Sequence, residues 1–187
     1  MLPIRTRVSW TALISGFVEN GYADIGLVYF KKMQIEGVAP NAVTFIYGLK
    51  ACGLIGALDT IKELYIVIER EGLLEREINV GNTLVYAYAK CGCLLEACEV
   101  FNKLPTRNVV TWNTLIAGYV EHGAGEEALK CFQKMVGDGA PCNAITYVCI
   151  LKACSSIGDS NKGQEIHNEI EKNGLLETNL LLCNALL

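Results

Sequence analysis

The chain lacks any hydrophobic run long enough to cross a bilayer. Charged residues and glycines interrupt every apolar stretch of the 187-residue sequence well before about 18 residues. The first residues include arginines but no apolar core segment or cleavage signature, so neither a secretory signal nor a transit peptide is expected in this chain. These absences predict a soluble protein without a membrane partner.

The sequence also lacks an excess of positive charge. Its 16 Lys and Arg residues are outnumbered by 20 Asp and Glu residues, and the formal net charge is −4. Nucleic-acid binders contact phosphates through Lys and Arg, so this balance argues against nucleic acid as a partner unless the positive charge is local. Because 51% of the residues are hydrophobic and only 19% are charged, a disordered chain is excluded.

Nine cysteines are present, but they lack the arrangement of a metal site. Cys91 and Cys93 are separated by one residue and no second pair matches them, so neither a metal nor another cofactor is predicted. Without a secretory signal, the cysteines are expected to be reduced thiols. Cys52 and Cys154 occupy the same place in two copies of a repeat, as small buried residues would.

The dominant feature of the sequence is an internal repeat with an offset of 102 residues. Trp10 recurs as Trp112, and the Leu-Lys-Ala-Cys stretch at 49–52 recurs at 151–154. Within this period apolar residues follow helical spacing, and Gly and Pro mark turns, as in antiparallel helical hairpins. Because one hairpin cannot bury its own apolar faces, neighbouring hairpins must stack. The sequence therefore predicts an all-α solenoid of antiparallel helix-turn-helix repeats.

The repeats divide the chain into units of about 35, 36 and 31 residues that follow one another in a fixed order. The complete units are 7–41, 42–77, 78–108, 109–143 and 144–179, flanked by 1–6, the tail of a preceding unit, and 180–187, the start of another. We therefore expect the chain to be part of a longer array.

These units resemble the P, L and S motifs of plant pentatricopeptide repeat proteins. Residues 110–119, Val-Thr-Trp-Asn-Thr-Leu-Ile-Ala-Gly-Tyr, are similar to the opening of a P motif, 44–52 to an L motif, and 80–92 to an S motif. The resemblance implies P-like repeats at 7–41 and 109–143, L-like repeats at 42–77 and 144–179, an S-like repeat at 78–108, and S-like remnants at 1–6 and 180–187. A tetratricopeptide array, the nearest rival, has a fixed period of about 34 residues.

The resemblance implies a right-handed superhelix that binds single-stranded RNA with one base per repeat. In the family the fifth and last residues of a unit select the base, and the second residue, usually Val or Ile, lies between successive bases. The residues at these positions are Thr11 with Asn41, Asn82 with Asn108, Asn113 with Asn143, and the apolar Val8 and Val110. Thr with Asn implies adenine, whereas Asn with Asn implies a pyrimidine, with cytosine favoured.

The L-like units depart from this pattern, because their fifth residues are apolar. Ile46, paired with Glu77, and Val148, paired with Asn179, cannot discriminate a base by hydrogen bonding. Asn79 stands where the S-like unit would carry an apolar second residue. The implied RNA register is 5′ A, any base, pyrimidine, pyrimidine, any base.

Each proposed base-contacting residue also has a structural explanation. Thr11, Asn82 and Asn113 lie at or near a helix start, and Asn41, Asn108 and Asn143 precede one. Polar side chains at such places cap free backbone amides, and both roles are compatible. Trp10 and Trp112 lie on the apolar helix stripe and are expected in the core, not against bases.

No enzymatic site is predicted. His167 and Glu169 form the His-x-Glu pattern of zinc deaminases, but the Pro-Cys-x-x-Cys that completes such a site is missing. The resemblance implies a segment of a mitochondrial or, alternatively, plastid protein that recognises single-stranded organellar RNA for cytidine-to-uridine editing or processing. Editing-factor proteins or a deaminase-bearing partner would carry out the chemistry. The alternatives are a protein-interaction scaffold and a truncated remnant without function.

Overall fold

A computed structural model of the chain describes residues 6–175. Eleven helices and no strand occur in this range, which confirms the prediction of an all-helical chain. In order they are α1 Arg7–Glu19, α2 Ala23–Ile35, α3 Ala42–Ile55, α4 Leu58–Arg70, α5 Leu73–Arg76, α6 Ile78–Lys90, α7 Leu94–Lys103, α8 Val109–Glu121, α9 Gly125–Gly137, α10 Ala144–Ile157 and α11 Ser160–Lys172. None of these helices is long and apolar enough to span a membrane. The predicted remnant 180–187, most of 1–6, and Asn179 lie outside the described residues.

The helices pair as hairpins joined by turns of two or three residues. The pairs are α1 with α2, α3 with α4, α6 with α7, α8 with α9, and α10 with α11. The single-turn helix α5 lies between two hairpins and is not anticipated by the sequence pattern. Gly56 and Gly158 end α3 and α10 in the left-handed conformation, at φ 72° and 71°, which a residue with a side chain rarely adopts.

The helices form two compact parts, which are described separately. In the N-terminal part, up to Thr106, α1 packs on α2 and α3, and α3 packs on α6. In the C-terminal part, from Arg107, α8 packs on α9 and α10, and α10 packs on α11. Within each part, the first helix of one hairpin therefore contacts the first helix of the next.

The core of each part consists of the repeated apolar positions. Trp10 is 0% and Trp112 2% exposed, which confirms that both tryptophans are core residues. Phe30 is fully buried and its ring centroid lies 6.2 Å from that of Phe45. Gly48 lets α3 approach this ring, because an added Cβ would lie 2.9 Å from two atoms of Phe30. Cys52 and Cys154 are buried, as the repeat pattern predicts.

Candidate nucleic-acid interface

The first helix of each hairpin, α1, α3, α6, α8 or α10, is called a first helix below. Three of these first helices begin at an asparagine cap. Asn41, Asn108 and Asn143 precede α3, α8 and α10, and each side-chain oxygen accepts a hydrogen bond from the backbone N–H three residues later, at 2.8, 3.0 and 3.1 Å. That later residue is a threonine in all three helices, and its hydroxyl accepts from the backbone N–H of the asparagine. Such a reciprocal capping box satisfies two backbone donors. The capping interpretation is therefore confirmed for these three asparagines.

In the N-terminal part, a threonine connects the fifth and last residues of unit 7–41. Oγ1 of Thr44 lies 2.8 Å from Oγ1 of Thr11 and 2.7 Å from Oδ1 of Asn41. Thr11 donates its own hydroxyl hydrogen to the carbonyl of Arg7 at 2.9 Å. Thr44 is fully buried, whereas Thr11 and Asn41 are half-buried. Thr11, Asn41 and Thr44 are called the N-terminal network below.

In the C-terminal part, the fifth and last residues of unit 109–143 contact each other directly. Nδ2 of Asn113 donates to Oδ1 of Asn143 at 3.0 Å, and Oδ1 of Asn113 accepts from the hydroxyl of Thr146 at 2.7 Å. The Thr146 hydroxyl also lies 3.1 Å from Oδ1 of Asn143, which closes the triangle. Asn113 is 7% and Thr146 0% exposed. Asn113, Asn143 and Thr146 are called the C-terminal network below.

The helix start dictates the direction of the bonds in the C-terminal network. The backbone N–H of Thr146 only donates, so Asn143 must meet it with Oδ1, and its Nδ2 takes no part in the cap. Because Oδ1 of Asn143 only accepts, Asn113 must meet it with Nδ2 and turn its oxygen to Thr146. The backbone donor thus orients the amide of Asn143, and two bonds, to Asn143 and from the Thr146 hydroxyl, orient the amide of Asn113.

The remaining assigned base-contacting positions differ from these two networks. Asn82 lies on α6 and is 6% exposed, and Asn108, exposed, caps α8. In unit 42–77 the fifth residue is the apolar Ile46, and the last residue, Glu77, precedes α6 without a side-chain cap bond. The third residue of the next unit, at the position of Thr44 and Thr146, is the fully buried Val80. Unit 42–77 therefore has no hydroxyl at the place of Thr44 and Thr146.

Apolar side chains are exposed beside the helix starts. Val8 is 76% and Val110 53% exposed, and the equivalent Val43 and Ile145 are exposed as well. Asn79, at the same position of unit 78–108, is also exposed. Single exposed apolar residues are common, but their recurrence at one repeat position gives each of the two parts apolar contacts for a ligand beside its helix starts.

Charge is distributed unevenly between the two helices of a hairpin. The first helices, α1, α3, α6, α8 and α10, carry only two carboxylates, Glu19 and Glu121, each the last residue of its helix. By contrast α2, α4, α7 and α9 each have an acidic residue in the first turn. The acidic residues that give the chain its net negative charge are therefore absent from the first turns of the helices at which the networks lie.

Two lysines recur at the same place on the first helices. Lys50 follows Ile46 by one turn on α3, and Lys152 follows Val148 by one turn on α10. Residues four apart share a helix face. The two units without a polar fifth residue therefore carry a cation on the face of that residue.

The structure corrects the capping interpretation of the fifth residues. Thr11, Asn82 and Asn113 lie inside α1, α6 and α8. The residue that caps α1 is Thr6, which accepts from the backbone N–H of Ser9 at 3.3 Å. Sequence reasoning also missed Thr44 and Thr146. The signal that identifies them is Asn-x-x-Thr, a capping-box spacing that occurs at 41–44, 108–111 and 143–146.

The His-x-Glu pattern on α11 belongs to a helix contact. Oε1 of Glu169 accepts from the Tyr147 hydroxyl at 2.8 Å, which joins α10 to α11. Burial also raises the pKa of the Cys91 and Cys93 thiols above their usual value, which disfavours the thiolate form that binds a metal. Residues 6–175 contain no group of three or more His, Cys, Asp or Glu side chains placed to hold a metal ion.

Sequence comparisons place these features among known repeats. A family model described as the PPR repeat family matches residues 107–156, and a PPR repeat model matches 8–38, 82–109 and 145–175. The Arabidopsis thaliana pentatricopeptide repeat-containing protein At4g30700 is 39% identical over 168 residues, which cover 90% of this chain and 21% of that protein. At4g19191, named mitochondrial, is 39% identical over 161 residues, 86% of this chain and 25% of that protein. At3g22150, named chloroplastic, is 36% identical over 168 residues, 90% of this chain and 20% of that protein. The chain thus spans a quarter or less of the length of these relatives.

Solved structures share the fold. A crystal structure of the pentatricopeptide repeat protein PPR10 in complex with an 18-nt psaJ RNA element matches with a TM-score of 0.79 and 26% identity, over 91% of this chain and 26% of that one. A structure of PPR10 from maize matches with a TM-score of 0.70 and 23% identity, over 90% of this chain and 25% of that one.

Proposed function

Because the chain belongs to the pentatricopeptide repeat family, whose models together match more than half of its residues, we propose that it binds single-stranded RNA. One base would face each repeat, at the starts of the first helices. The observation that carries this proposal is the pair of hydrogen-bond networks, which hold polar groups beside exposed apolar side chains that recur at one repeat position. Pairing of polar recognition with apolar contact suits unstacked bases.

The N-terminal network has the chemistry to bind adenine. Nδ2 of Asn41 is a donor, because Oδ1 is taken up by the cap. Oγ1 of Thr11 is an acceptor, because its hydrogen is donated to Arg7. A donor beside an acceptor matches the adenine edge, on which N1 accepts and the N6 amino group donates. This complementarity supports the assignment of A to unit 7–41.

The C-terminal network is richer in donors. Nδ2 of Asn143 has two hydrogens outside the cap, and Nδ2 of Asn113 keeps one after donating to Asn143. The cytosine edge offers two neighbouring acceptors, N3 and O2, and uracil also exposes O2. Donors from two amides therefore support a pyrimidine, with cytosine favoured, at unit 109–143.

The net negative charge of the chain does not oppose this proposal. First turns without carboxylates leave the positive ends of the helix dipoles uncompensated at the proposed RNA surface. Lys50 and Lys152 add two cations on the first helices. Phosphate contacts can thus be local, as a base-reading array requires.

We assign the units to the P-L-S subclass and the RNA register to 5′ A, any base, pyrimidine, pyrimidine, any base. The biological role follows as recognition of organellar RNA for cytidine-to-uridine editing or processing, with the chemistry supplied by editing factors or a deaminase-bearing partner. Relatives named mitochondrial and chloroplastic support an organellar location, with the mitochondrion as our first assignment.

A binding measurement tests the function. Fluorescence anisotropy at one fixed salt concentration compares an RNA in the proposed register with an RNA whose two pyrimidines are replaced by purines. We expect binding of the first to be about tenfold tighter or more, since a good bidentate base contact contributes about 1–3 kcal/mol. Equal affinity would refute the base assignments. No RNA binding by the folded chain would favour a protein-interaction scaffold.

A further inference from the structure

We infer that Thr44 and Thr146 are specificity-determining positioning residues. Each is the third residue of the unit that follows a polar fifth-and-last pair, and its hydroxyl sets which hydrogen-bonding groups that pair presents to a base. This inference rests on the RNA binding proposed above. It adds a third residue to each base-contacting pair, one that is fully buried and does not itself touch the base.

Thr146 makes the most direct contact with a fifth residue. The cap bond from the backbone N–H of Thr146 orients Asn143 without help from the hydroxyl. Asn113 is different, because its oxygen is held by the Thr146 hydroxyl at 2.7 Å and its nitrogen by Asn143 at 3.0 Å. A half-turn of the Asn113 amide would exchange the donor and the acceptor that it presents to the base. Two hydrogen bonds oppose this turn, and removal of the Thr146 hydroxyl eliminates one of them.

Thr44 acts on a hydroxyl in the other network. Its Oγ1 lies within hydrogen-bond distance of both Thr11 and Asn41, at 2.8 and 2.7 Å. Because Thr11 gives its own hydrogen to Arg7, its contact with Thr44 is a hydrogen bond in which the Thr44 hydroxyl donates to the Thr11 oxygen. The Asn41 cap is then held by the backbone N–H of Thr44. The Thr11 side chain then has a defined place for its acceptor, next to the Asn41 amide.

The units with apolar fifth residues provide an internal comparison. The unit after that of Ile46 has Val80 as its third residue, the position that Thr44 occupies in unit 42–77. The unit after that of Val148 has Leu182 at this position, which lies outside the described residues. Units whose fifth residue is Thr11 or Asn113 are followed by threonine. The capping box by itself produces the same association, since α6 lacks both the asparagine and the threonine. What distinguishes positioning from capping is the direct bond from the Thr146 hydroxyl to Asn113. A hydroxyl occurs where there is a polar fifth residue to orient.

The test uses Thr146→Val and Thr146→Ser in the full chain. Thr146→Val keeps the shape and the backbone donor but removes the hydroxyl, whereas Thr146→Ser keeps the hydroxyl. Affinities are measured for four RNAs that differ only at the fourth base. We expect the preference for a pyrimidine, about tenfold in the wild type, to fall below about threefold in Thr146→Val and to persist in Thr146→Ser. Thr114→Val is the matched control, because the Thr114 hydroxyl donates to its own helix at Val110, at 2.8 Å.

An equal loss of affinity for all four RNAs, with an unchanged preference, would assign Thr146 a purely structural role and overturn the inference. An unchanged preference at full affinity would overturn it as well. If Thr146→Val does not fold, Thr44→Val is tested in the same way with four RNAs that differ at the first base, and the same two outcomes would contradict the inference.

A measurement without RNA separates this inference from the proposed function. The side-chain amide hydrogens of Asn113 are followed by hydrogen exchange in the NMR spectrum of the free protein. We expect protection in the wild type and in Thr146→Ser, and at least about fivefold faster exchange in Thr146→Val, because that variant lacks a bond that restrains the amide. Unchanged exchange refutes positioning by Thr146 even if RNA binds. Failure of the wild type to bind RNA would refute the proposed function, but the exchange measurement would still test whether Thr146 positions Asn113.

Discussion

Nδ2 of Asn113 lies 3.0 Å from Oδ1 of Asn143, although 30 positions separate the two residues in the sequence. In the N-terminal part the equivalent residues, Thr11 and Asn41, are connected through the Thr44 hydroxyl. Both last residues form the same capping box with the following helix. One unchanged cap therefore accommodates two chemically different fifth residues, and base preference is expected to differ through the fifth residue alone.

The first prediction exchanges the two fifth residues. Asn113→Thr gives unit 109–143 the residue set of unit 7–41, so we expect its preference to change from a pyrimidine to adenine at the fourth base, by about tenfold in relative affinity. Thr11→Asn is the reciprocal variant and should change the first base from adenine to a pyrimidine. Competition binding with RNAs that differ at one base measures both changes. A change of preference at the wrong base, or at every base, would contradict the one-unit, one-base assignment.

The second prediction concerns the lysines on the first helices. Replacing Lys50 and Lys152 by Gln should weaken binding to all RNA sequences alike, because these cations would contact phosphate and not base edges. The slope of log affinity against log salt should decrease by about 0.7 for each phosphate that the variant no longer neutralises. Lys32→Gln with Lys130→Gln removes the same charge from the second helices α2 and α9 and serves as the control. Equal effects of the two double variants would exclude a local interaction of Lys50 and Lys152 with phosphate.

The fold was predictable because its dominant cause is repetitive and local. Trp10 and Trp112 occupy the same place on two apolar stripes, and both are buried as that periodicity requires. The helix start was less predictable. The position of Thr11 close to the beginning of the apolar pattern predicts a cap, but α1 starts at Arg7 and Thr6 caps it.

The candidate site was only partly predictable for a different reason. The contact between Thr11 and Thr44 joins residues 33 positions apart and depends on how two first helices pack side by side. A sequence pattern shows that Asn41 and Thr44 have the spacing of a capping box, but not that a third side chain from the preceding helix meets them. The assignment of the base-contacting pairs stays a prediction that RNA binding must test.

A third prediction addresses packing in the N-terminal part. Gly48→Ala should destabilise the protein by about 1–3 kcal/mol, because the new Cβ would lie 2.9 Å from the ring of the fully buried Phe30. Gly137→Ala is the control, since nothing lies within 4 Å of its added Cβ. It should stabilise α9 by up to about 1 kcal/mol through helix propensity. Urea denaturation followed by circular dichroism measures both, and a stabilised Gly48→Ala variant would show that α3 and α2 are not so closely packed.

The fourth prediction concerns alkaline pH. Burial raises the pKa of the Cys52 thiol from 9.0 to about 12. Between these values the unfolded chain has released a proton that the folded chain still holds, so this thiol stabilises the fold fully below pH 9 and its contribution is lost as the pH rises towards 12. We expect the unfolding free energy of the wild type to fall between pH 9 and 11 more steeply than that of Cys52→Ala, by up to about 1.4 kcal/mol per pH unit. Parallel curves for the two proteins would contradict the raised pKa.

The asparagine caps have a consequence for how the specificity of such an array can evolve. Loss of a cap by substitution to alanine costs a helix about 1 kcal/mol, so a change at Asn41 or Asn143 would alter stability together with the proposed base preference. A change at Thr11 or Asn113 leaves the cap in place. Under the proposed base contacts, new RNA targets would therefore be reached at the lowest cost in stability by mutation of the fifth residue, and the last residue would be the more constrained of the two.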